Sequence, residues 1–302
     1  MIAPHILKGQ TRVPVQFVAS NDAEMQIKLI ELKARAADEK VKLESSSHQA
    51  FAMMNRGNER PLHVVFLEKY ALAVTQPAPF RIELEPAMTP LVQSGEMALK
   101  VRVIRQEGFK GAVEIVPDWL PPNVSKGGVV TIPAEKSEGE FTIRAGGNAA
   151  PGTYEIAMNA STNDKGDSFS GVGRIRVSSA FVPLIVASPY MKITLRRSSI
   201  EQGRAGEIRA AIEPAKSFTG EAKLTLKNLP KGVKLLEPAP VVTAQTKDAI
   251  FRVQADPGAL AGLYKDIACD IAIASTGQTL HQTAGSGLLR VDPARASVEG
   301  AK

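Results

Sequence analysis

Cysteine and aromatic residues are scarce in this sequence. The 302 residues include one cysteine, Cys269, so no disulfide can form within the chain. That is compatible with the cytoplasm, and equally with an extracytoplasmic protein built on large cores. Aromatic residues make up only 5%, with one tryptophan, whereas a surface that stacks bases or sugars uses several.

Long hydrophobic runs and clustered charges are also missing. The most apolar stretch, FVPLIVASPY at 181–190, is too short for a membrane span and contains two prolines. Residues 1–25 lack a basic start followed by an apolar run, so no signal peptide is predicted there. The net charge is +6, but Lys and Arg are scattered among 31 acidic residues. This pattern predicts neither a nucleic-acid partner nor a membrane span.

What the sequence does contain is a tandem repeat. FKGAVEIVPDWLPPNV at 109–124 returns as FTGEAKLTLKNLPKGV at 218–233, and 218 minus 109 gives an offset of 109. FTIRA at 141–145 returns as FRVQA at 251–255, with an offset of 110. A constant offset over this distance indicates one unit of about a hundred residues duplicated in tandem, a length typical of a sandwich domain.

Short alternating segments fill each unit and predict its fold. MALKVRVIRQ at 97–106 alternates apolar and polar residues and is closed by turn residues, as are several later segments. Tyr154 and Tyr264 each follow a tight turn, where a tyrosine corner of an immunoglobulin-like domain would lie. The sequence therefore predicts an all-β fold of tandem immunoglobulin-like β-sandwich domains, the first incomplete.

The strands that follow the two tyrosines differ in phase. After Tyr154 the apolar residues lie at even distances along the chain from the tyrosine. After Tyr264, from Ile267 onwards, they lie at odd distances from it. Because a slip of one residue reverses the faces of a strand, we predict a β-bulge near Asp266.

Residues 1–79 match only part of a unit. VQFVA at 15–19 resembles FTIRA and FRVQA, and DAEMQIKLIELKARA at 22–36 is rich in helix formers yet alternates with period two, which favours strand over helix. A partial unit corresponds to the second half of a sandwich and would leave an apolar face uncovered. Either the chain is the C-terminal part of a longer polypeptide, the simpler interpretation, or another chain completes this unit.

The predicted domain boundaries follow from these matches. They comprise a partial immunoglobulin-like domain at 1–79, β-sandwiches at 80–180 and 191–294, a linker at 181–190, and a disordered tail at 295–302.

The turns of these units resemble a known group of proteins. GFKGAVEI, LPPNV, the Pro-Gly-Thr-Tyr corner, SPYMKITL, NLPKGV and GSGLLRVDPAR resemble the C-terminal immunoglobulin-like repeats of large secreted bacterial proteins that carry pre-peptidase C-terminal type domains. The resemblance covers residues 1 to 295 and implies an extracytoplasmic location (periplasm, cell surface or secreted) for the parent protein. It also implies a passive or adhesive role.

Metal and cofactor motifs do not emerge from the sequence. The four histidines (His5, His48, His63 and His281) lie in separate segments without zinc-site spacing. NDKGD at 163–167 has oxygen ligands for calcium, but the same residues are typical of a hairpin turn, and the sequence leaves both open. GDSFSG at 166–171 lacks the spacing of a nucleophile elbow. No cofactor and no metal are predicted.

Two single residues are candidates for special roles. Trp119 replaces the asparagine of the other repeat and is a candidate for binding a sugar or a protein, although a Trp packed over the end of the sandwich is the favoured interpretation. Cys269 lies on the apolar phase of its strand, which predicts a buried hydrophobe and not a nucleophile.

The predicted function is therefore non-catalytic. We expect an extracytoplasmic module array that acts as a spacer, adhesion or ligand-binding region of a larger secreted protein. Its expected partners are the other domains of that polypeptide and a surface protein or polysaccharide. The alternative is an accessory region of a secreted hydrolase, a peptidase or glycoside hydrolase, whose catalytic domain lies upstream; the fold alone does not separate the two.

Overall fold

The computed structural model of the chain is all-β, as the alternating segments predict. The structure describes residues 5–6, 10–20, 22–55, 61–162, 175–275 and 278–294. The chain divides into two compact units, residues 1–79 and 80–302. Among the described residues there is no helix with the length and apolar character needed to cross a bilayer.

The second unit begins with a complete β-sandwich, called sandwich A. Its strands are β7 (Phe80–Leu84), β8 (Leu91–Val92), β9 (Gly95–Arg105), β10 (Val113–Pro117), β11 (Val124–Lys126), β12 (Val130–Ile132), β13 (Glu138–Ala145), β14 (Gly152–Ile156), β15 (Met158–Thr162), β16 (Ile175–Ser178) and β17 (Val182–Ala187). One layer has the order β11-β13-β9-β7, and the other contains β12-β10-β15-β16 and β14-β17-β8. Alternate residues of both layers fill one core, around Ile115, Phe141 and Leu184.

A second sandwich, called sandwich B, follows directly. Its strands are β18 (Met191–Leu195), β19 (Ser198–Glu201), β20 (Ala205–Pro214), β21 (Ala222–Lys227), β22 (Val233–Leu235), β23 (Val241–Val242), β24 (Asp248–Ala255), β25 (Gly262–Ser275) and β26 (Gln278–Asp292). The layers are β18-β20-β24-β22 and β19-β26-β25-β21-β23. Phe251, Leu224 and Ile271 lie at the centre of its own core.

The sequence repeat is also a structural repeat. β11 and β22 start at Val124 and Val233, which are 109 residues apart, and β13 and β24 start 110 residues apart. β10 and β21 also start 109 residues apart, and they pair with β15, which follows the strand of Tyr154, and with β25, which contains Tyr264. The duplicated sequence therefore encodes the same strand pairing twice.

The segment 181–190 was predicted as a linker, and this is wrong for most of its length. Residues 182–187 form β17, which pairs with β14 on one side and, at Val186 and Ala187 only, with β8 on the other. Val182, Leu184 and Val186 are buried in the core of sandwich A, so the alternation is that of a strand. Pro183 is tolerated because β8 does not reach that position.

The predicted bulge near Asp266 is confirmed. Pairing between β25 and β26 shifts in register between Tyr264 and Ile267 and again between Ile267 and Cys269. Asp266 has a φ of 112°, and its carbonyl accepts a hydrogen bond from Asn228 Nδ2 at 2.9 Å. After the bulge, Ile267 and Cys269 face the core, which explains the reversed phase of the sequence.

The described part of the first unit contains six short strands in three antiparallel pairs. The strands are β1 (Gln26–Ile30), β2 (Lys33–Arg35), β3 (Glu44–Ser46), β4 (Gln49–Asn55), β5 (Pro61–Leu67) and β6 (Tyr70–Val74). The pairs are β1–β6, β2–β3 and β4–β5. Strand, and not helix, is therefore the state of residues 26–30 and 33–35, as the period of two predicts.

The pairing in the first unit parallels the end of sandwich A. β1 starts 126 residues before β14, since 152 minus 26 is 126, and β6 pairs with β1 as β17 pairs with β14. Fully buried apolar side chains are absent from the described part of this unit, and thirteen large apolar side chains there are exposed. Ile27, for example, is 76% exposed. Two-stranded sheets cannot enclose a core by themselves, so this unit has apolar surface without a covering layer.

Candidate functional site

The two sandwiches are joined by a shared ladder. β26 of sandwich B pairs with β9 of sandwich A, His281 opposite Glu96 and Gln282 opposite Gly95. The amide of Thr283 also donates to the carbonyl of Ser94 at 2.7 Å. The sheet of sandwich B therefore continues into sandwich A, and the junction is held by backbone hydrogen bonds.

Gln282 strengthens this junction with its side chain. It is only 1% exposed. Its Oε1 accepts a hydrogen bond from the amide of Tyr190 at 2.8 Å, and its Nε2 donates to the carbonyl of Met191 at 2.6 Å. Gln282 thus ties the short connection between the sandwiches to β26. Buried amides with both polar ends bonded fix a local geometry, because each lost bond leaves a group unsatisfied.

Gly95 makes the close approach of the two strands possible. A Cβ built on Gly95 would lie 2.2 Å from the carbonyl oxygen of His281 and 2.8 Å from that of Val92. No side chain fits at these distances, since both neighbours are backbone atoms. Gly95 is the first residue of β9, and a glycine in a strand often marks a site where another backbone approaches closely.

A cleft of about 480 Å³ lies beside this junction. Its floor is β9 around Ala98, one wall is the segment 85–90, and the other is the start of β26. Gln278 connects the two walls, because its Oε1 accepts from the amide of Met88 at 3.1 Å. The cleft is therefore built by both sandwiches.

The charged groups around the cleft form ion pairs on the outer face of sandwich A. Lys100 Nζ lies 2.9 Å from Glu138 and 4.0 Å from Glu85, and Arg144 Nε lies 2.9 Å from Glu96. The hydrogen bond between Lys100 and Glu138 raises the pKa of Lys100 and lowers the pKa of Glu138. These groups are exposed, so solvent screens their attraction.

A second charged group borders the junction on sandwich B. Asp270 is largely buried, with Lys227 Nζ 2.6 Å from its Oδ1 and His281 Nδ1 3.4 Å from its Oδ2. His281 lines the cleft, whereas Asp270 and Lys227 do not. The carboxylate of Asp270 is held by the ion pair with Lys227 and accepts a hydrogen bond from His281 Nδ1, which orients the imidazole.

Trp119 lies at the end of sandwich A. Its ring centroid is 6.3 Å from that of Tyr154, at an interplanar angle of 51°, and it packs against the edge of the core. The side chain is half-buried. This placement accounts for Trp119 through packing and leaves part of the ring exposed.

The two tyrosines make equivalent hydrogen bonds. Tyr154 donates its hydroxyl to the carbonyl of Ala150 at 2.9 Å, and Tyr264 donates to that of Leu260 at 2.8 Å. Each bond returns to backbone four residues upstream, which matches the geometry of a tyrosine corner.

The histidines lie in separate environments. His48 packs edge-on against Phe66 at 5.5 Å between ring centroids, while His5 and His63 are exposed. Within the described ranges, no cluster of three or more His, Cys, Asp or Glu side chains has the geometry for a metal ion.

Cys269 is fully buried in the core of sandwich B. Burial, and secondarily the negative charge of Asp270, raises the pKa of its thiol to about 12. A thiol with this pKa remains protonated near neutral pH and is unreactive. The predicted role of a small buried hydrophobe agrees with this environment.

Several sequence candidates lie outside the described residues. These are the possible calcium loop at 163–167, the segment GDSFSG at 166–171 and the tail at 295–302.

Sequence reasoning missed the junction residues. Gln282 shares its face of β26 with Leu280 and Ala284, so alternation places it on the buried side, but nothing in the sequence indicates which groups its amide binds. Gly95 follows Ser94 at the start of β9, where a Ser-Gly pair is typical of a turn and gives no sign of a close strand contact. The partner that requires it, β26, is almost two hundred residues away, and no local pattern indicates such a contact.

No protein-family model matches the sequence, and no curated protein matches it. Solved structures of low identity do align with it. A protein of unknown function from Porphyromonas gingivalis W83 is 14% identical, with 70% of this chain and 100% of that chain covered and a TM-score of 0.25. The fibronectin(III)-like modules of Clostridium thermocellum CbhA are 11% identical, with 73% and 99% covered and a TM-score of 0.26.

The D0-D1 domain of intimin is also similar. It is 10% identical, with 70% of this chain and 97% of that chain covered and a TM-score of 0.23. At these identities and TM-scores the likenesses carry no argument about what this chain does.

Proposed function

We propose that the chain is a non-catalytic, extracytoplasmic array of immunoglobulin-like modules that acts as a rigid spacer in a larger secreted bacterial protein. The parent protein would be of the type that carries pre-peptidase C-terminal domains, and its other domains would be the first partners of this chain. A surface protein or polysaccharide would be the external partner.

The junction between the two sandwiches is the observation that carries this proposal. Modules on flexible linkers reorient freely, whereas here β26 pairs with β9 and Gln282 holds Tyr190 and Met191. A connection made of ladder hydrogen bonds and a buried side chain resists bending. A rigid pair of sandwiches keeps a fixed distance between whatever is attached at its two ends.

The spacer role can be tested by measuring a distance across the junction. Spin labels on cysteines replacing exposed Glu155 in sandwich A and Lys223 in sandwich B, in a Cys269→Ala background, report this distance by double electron–electron resonance. We expect a single narrow distribution. Gln282→Ala should broaden it, because the amide of Tyr190 and the carbonyl of Met191 lose their partner.

The matched control is Gln245→Ala, which truncates an exposed glutamine in a turn of sandwich B. It should leave the distribution unchanged. A broad distribution in the otherwise unaltered chain, as wide as that of Gln282→Ala, would contradict a rigid spacer.

A further inference from the structure

β9 has a gap in its hydrogen bonding at the junction. Along this strand, Ser94 and Lys100 direct their carbonyls away from β13, since they accept from the amides of Thr283 at 2.7 Å and Glu85 at 3.0 Å. Because backbone groups alternate sides along an antiparallel strand, Ala98 directs its N–H and C=O to this same side.

Ala98 has no strand beside it on that side. β7 pairs with β9 only as far as Val101, extended by the single bond from Glu85, and β26 pairs only with Gly95 and Glu96. Within the described part of the chain, neither strand pairs with Ala98, and Ala98 is exposed. The gap is one hydrogen-bonding residue wide, and the cleft lies directly over it.

The cleft has an excess of negative charge, although the whole chain has a net charge of +6. Glu85, Glu96 and Glu140 line it, against the single ammonium of Lys100. Glu96 is paired with Arg144, and Glu85 lies 3.6 Å from Arg102 and 4.0 Å from Lys100. Among the described residues no ion pair involves Glu140, so its carboxylate is the one that attracts a cation most strongly.

We propose that this cleft binds a short extended peptide that carries a basic side chain. The central residue of the peptide donates its N–H to the carbonyl of Ala98 and accepts the N–H of Ala98 through its own carbonyl, as in strand addition to a sheet edge. Residues opposite each other in an antiparallel pair share a face. The basic side chain therefore lies on the outer face with Glu96 and Glu140.

Peptide fits this site better than carbohydrate does. The unpaired groups are one backbone donor and one backbone acceptor at strand spacing, which an extended peptide complements directly. No aromatic ring lines the described walls of the cleft to stack on a sugar. This inference goes beyond the spacer role and does not depend on it.

A titration with defined peptides tests the proposal. The probes are acetyl-Val-Lys-Val-amide, the same peptide with Glu in place of Lys, and the Lys peptide N-methylated at its central residue. Binding is followed through the backbone amide signals of the full chain by nuclear magnetic resonance at low salt. The Lys peptide should shift the signals of Glu96, Ala98 and Thr279, with a Kd on the order of 1 mM for so small a contact.

The two other peptides separate the two parts of the recognition. The Glu peptide should bind at least about fivefold more weakly, because the charge interaction changes sign. N-methylation removes the donor to the carbonyl of Ala98 and should abolish the shifts, without any change to the protein. Glu140→Gln should weaken the Lys peptide about threefold, while Glu83→Gln, which removes a carboxylate outside the cleft, should not.

Three results would overturn the proposal. The first is the absence of shifts in these amides at about 10 mM Lys peptide, ten times the expected Kd. The second is equal binding of the methylated and unmethylated peptides. The third is a neutral disaccharide, cellobiose, that shifts the same amides when the peptide does not, which would assign the cleft to carbohydrate.

Discussion

Replacing Gly95 by alanine should separate the two sandwiches. The added Cβ would lie 2.2 Å from the carbonyl oxygen of His281, and a real carbon atom does not approach an oxygen so closely. Either β26 moves away from β9 or both strands distort. In both cases the pairing of Glu96 with His281 and the bond from Thr283 to Ser94 are weakened.

The size of the effect follows from these contacts. Each hydrogen bond contributes about 0.5–1.5 kcal/mol net, and two or three of them depend on the close approach. Forcing an extra methyl group into a packed position costs about 1–3 kcal/mol if the strands do not separate. The strands either separate or accept the strain, whichever costs less free energy. We therefore expect the free energy that couples the two sandwiches to fall by about 2–3 kcal/mol.

Urea unfolding followed by two signals measures this coupling. Trp119 is the only tryptophan and reports sandwich A, whereas far-ultraviolet circular dichroism reports all the strands. With the junction intact, the two signals should change together over most of the transition. In Gly95→Ala the two curves should separate, because each sandwich then unfolds with its own stability.

Gly258→Ala provides the control for this experiment. Gly258 lies in a turn of sandwich B, and a Cβ there meets no atom within 4 Å. Its curves should coincide with those of the unaltered chain. If Gly95→Ala and Gly258→Ala differ by less than about 0.5 kcal/mol, the range of neutral surface changes, the junction does not depend on this close approach.

Two further predictions concern sandwich B. Asp266→Gly should stabilise the chain by about 1 kcal/mol in urea unfolding, because a φ of 112° strains a residue that has a side chain. The control, Asp248→Gly in the regular strand β24, should destabilise the chain by a similar amount. If Asp266→Gly does not stabilise the chain, the backbone at Asp266 is not strained. Cys269 should not react with a thiol reagent at pH 8 until urea is added. Because its pKa rises from 9.0 to about 12 on folding, the contribution of Cys269 to stability should be constant below pH 9 and be lost as the pH rises towards 12. Rapid labelling of the folded chain would contradict this.

Period-two patterns predicted the strands well, even against helix propensity. Residues 22–36 are rich in helix formers, yet β1 and β2 lie there. Apolar residues at alternate positions form one stripe on a strand, whereas a helix would spread them around its surface. The same rule located the bulge at Asp266 from a change of parity alone. Such predictions succeed because the alternation is a local property of the chain.

The linker prediction failed because it followed the proline content of the segment and not its alternating pattern. Residues 181–190 contain two prolines and indicated a linker, but Val182, Leu184 and Val186 alternate and complete the core of sandwich A. Proline has no N–H to donate, so it is excluded only from strand positions that have a neighbouring strand on both sides. Whether β17 has a neighbour at Pro183 depends on how far β8 extends, which the segment itself does not specify.

The sequence by itself determined the repeat, the alternating strands, the tyrosine turns and the change of phase, because each is a relation between residues close along the chain or repeated at a constant offset. The tertiary structure alone decided the junction, where Gly95, Gln282 and the gap at Ala98 acquire their roles. These roles arise from contacts far apart along the chain: Gln282 lies 92 positions from Tyr190, and its strand pairs with β9 almost two hundred positions away. Pairing between distant strands depends on how the two folded sandwiches fit together, and the sequence of one strand does not specify its distant partner.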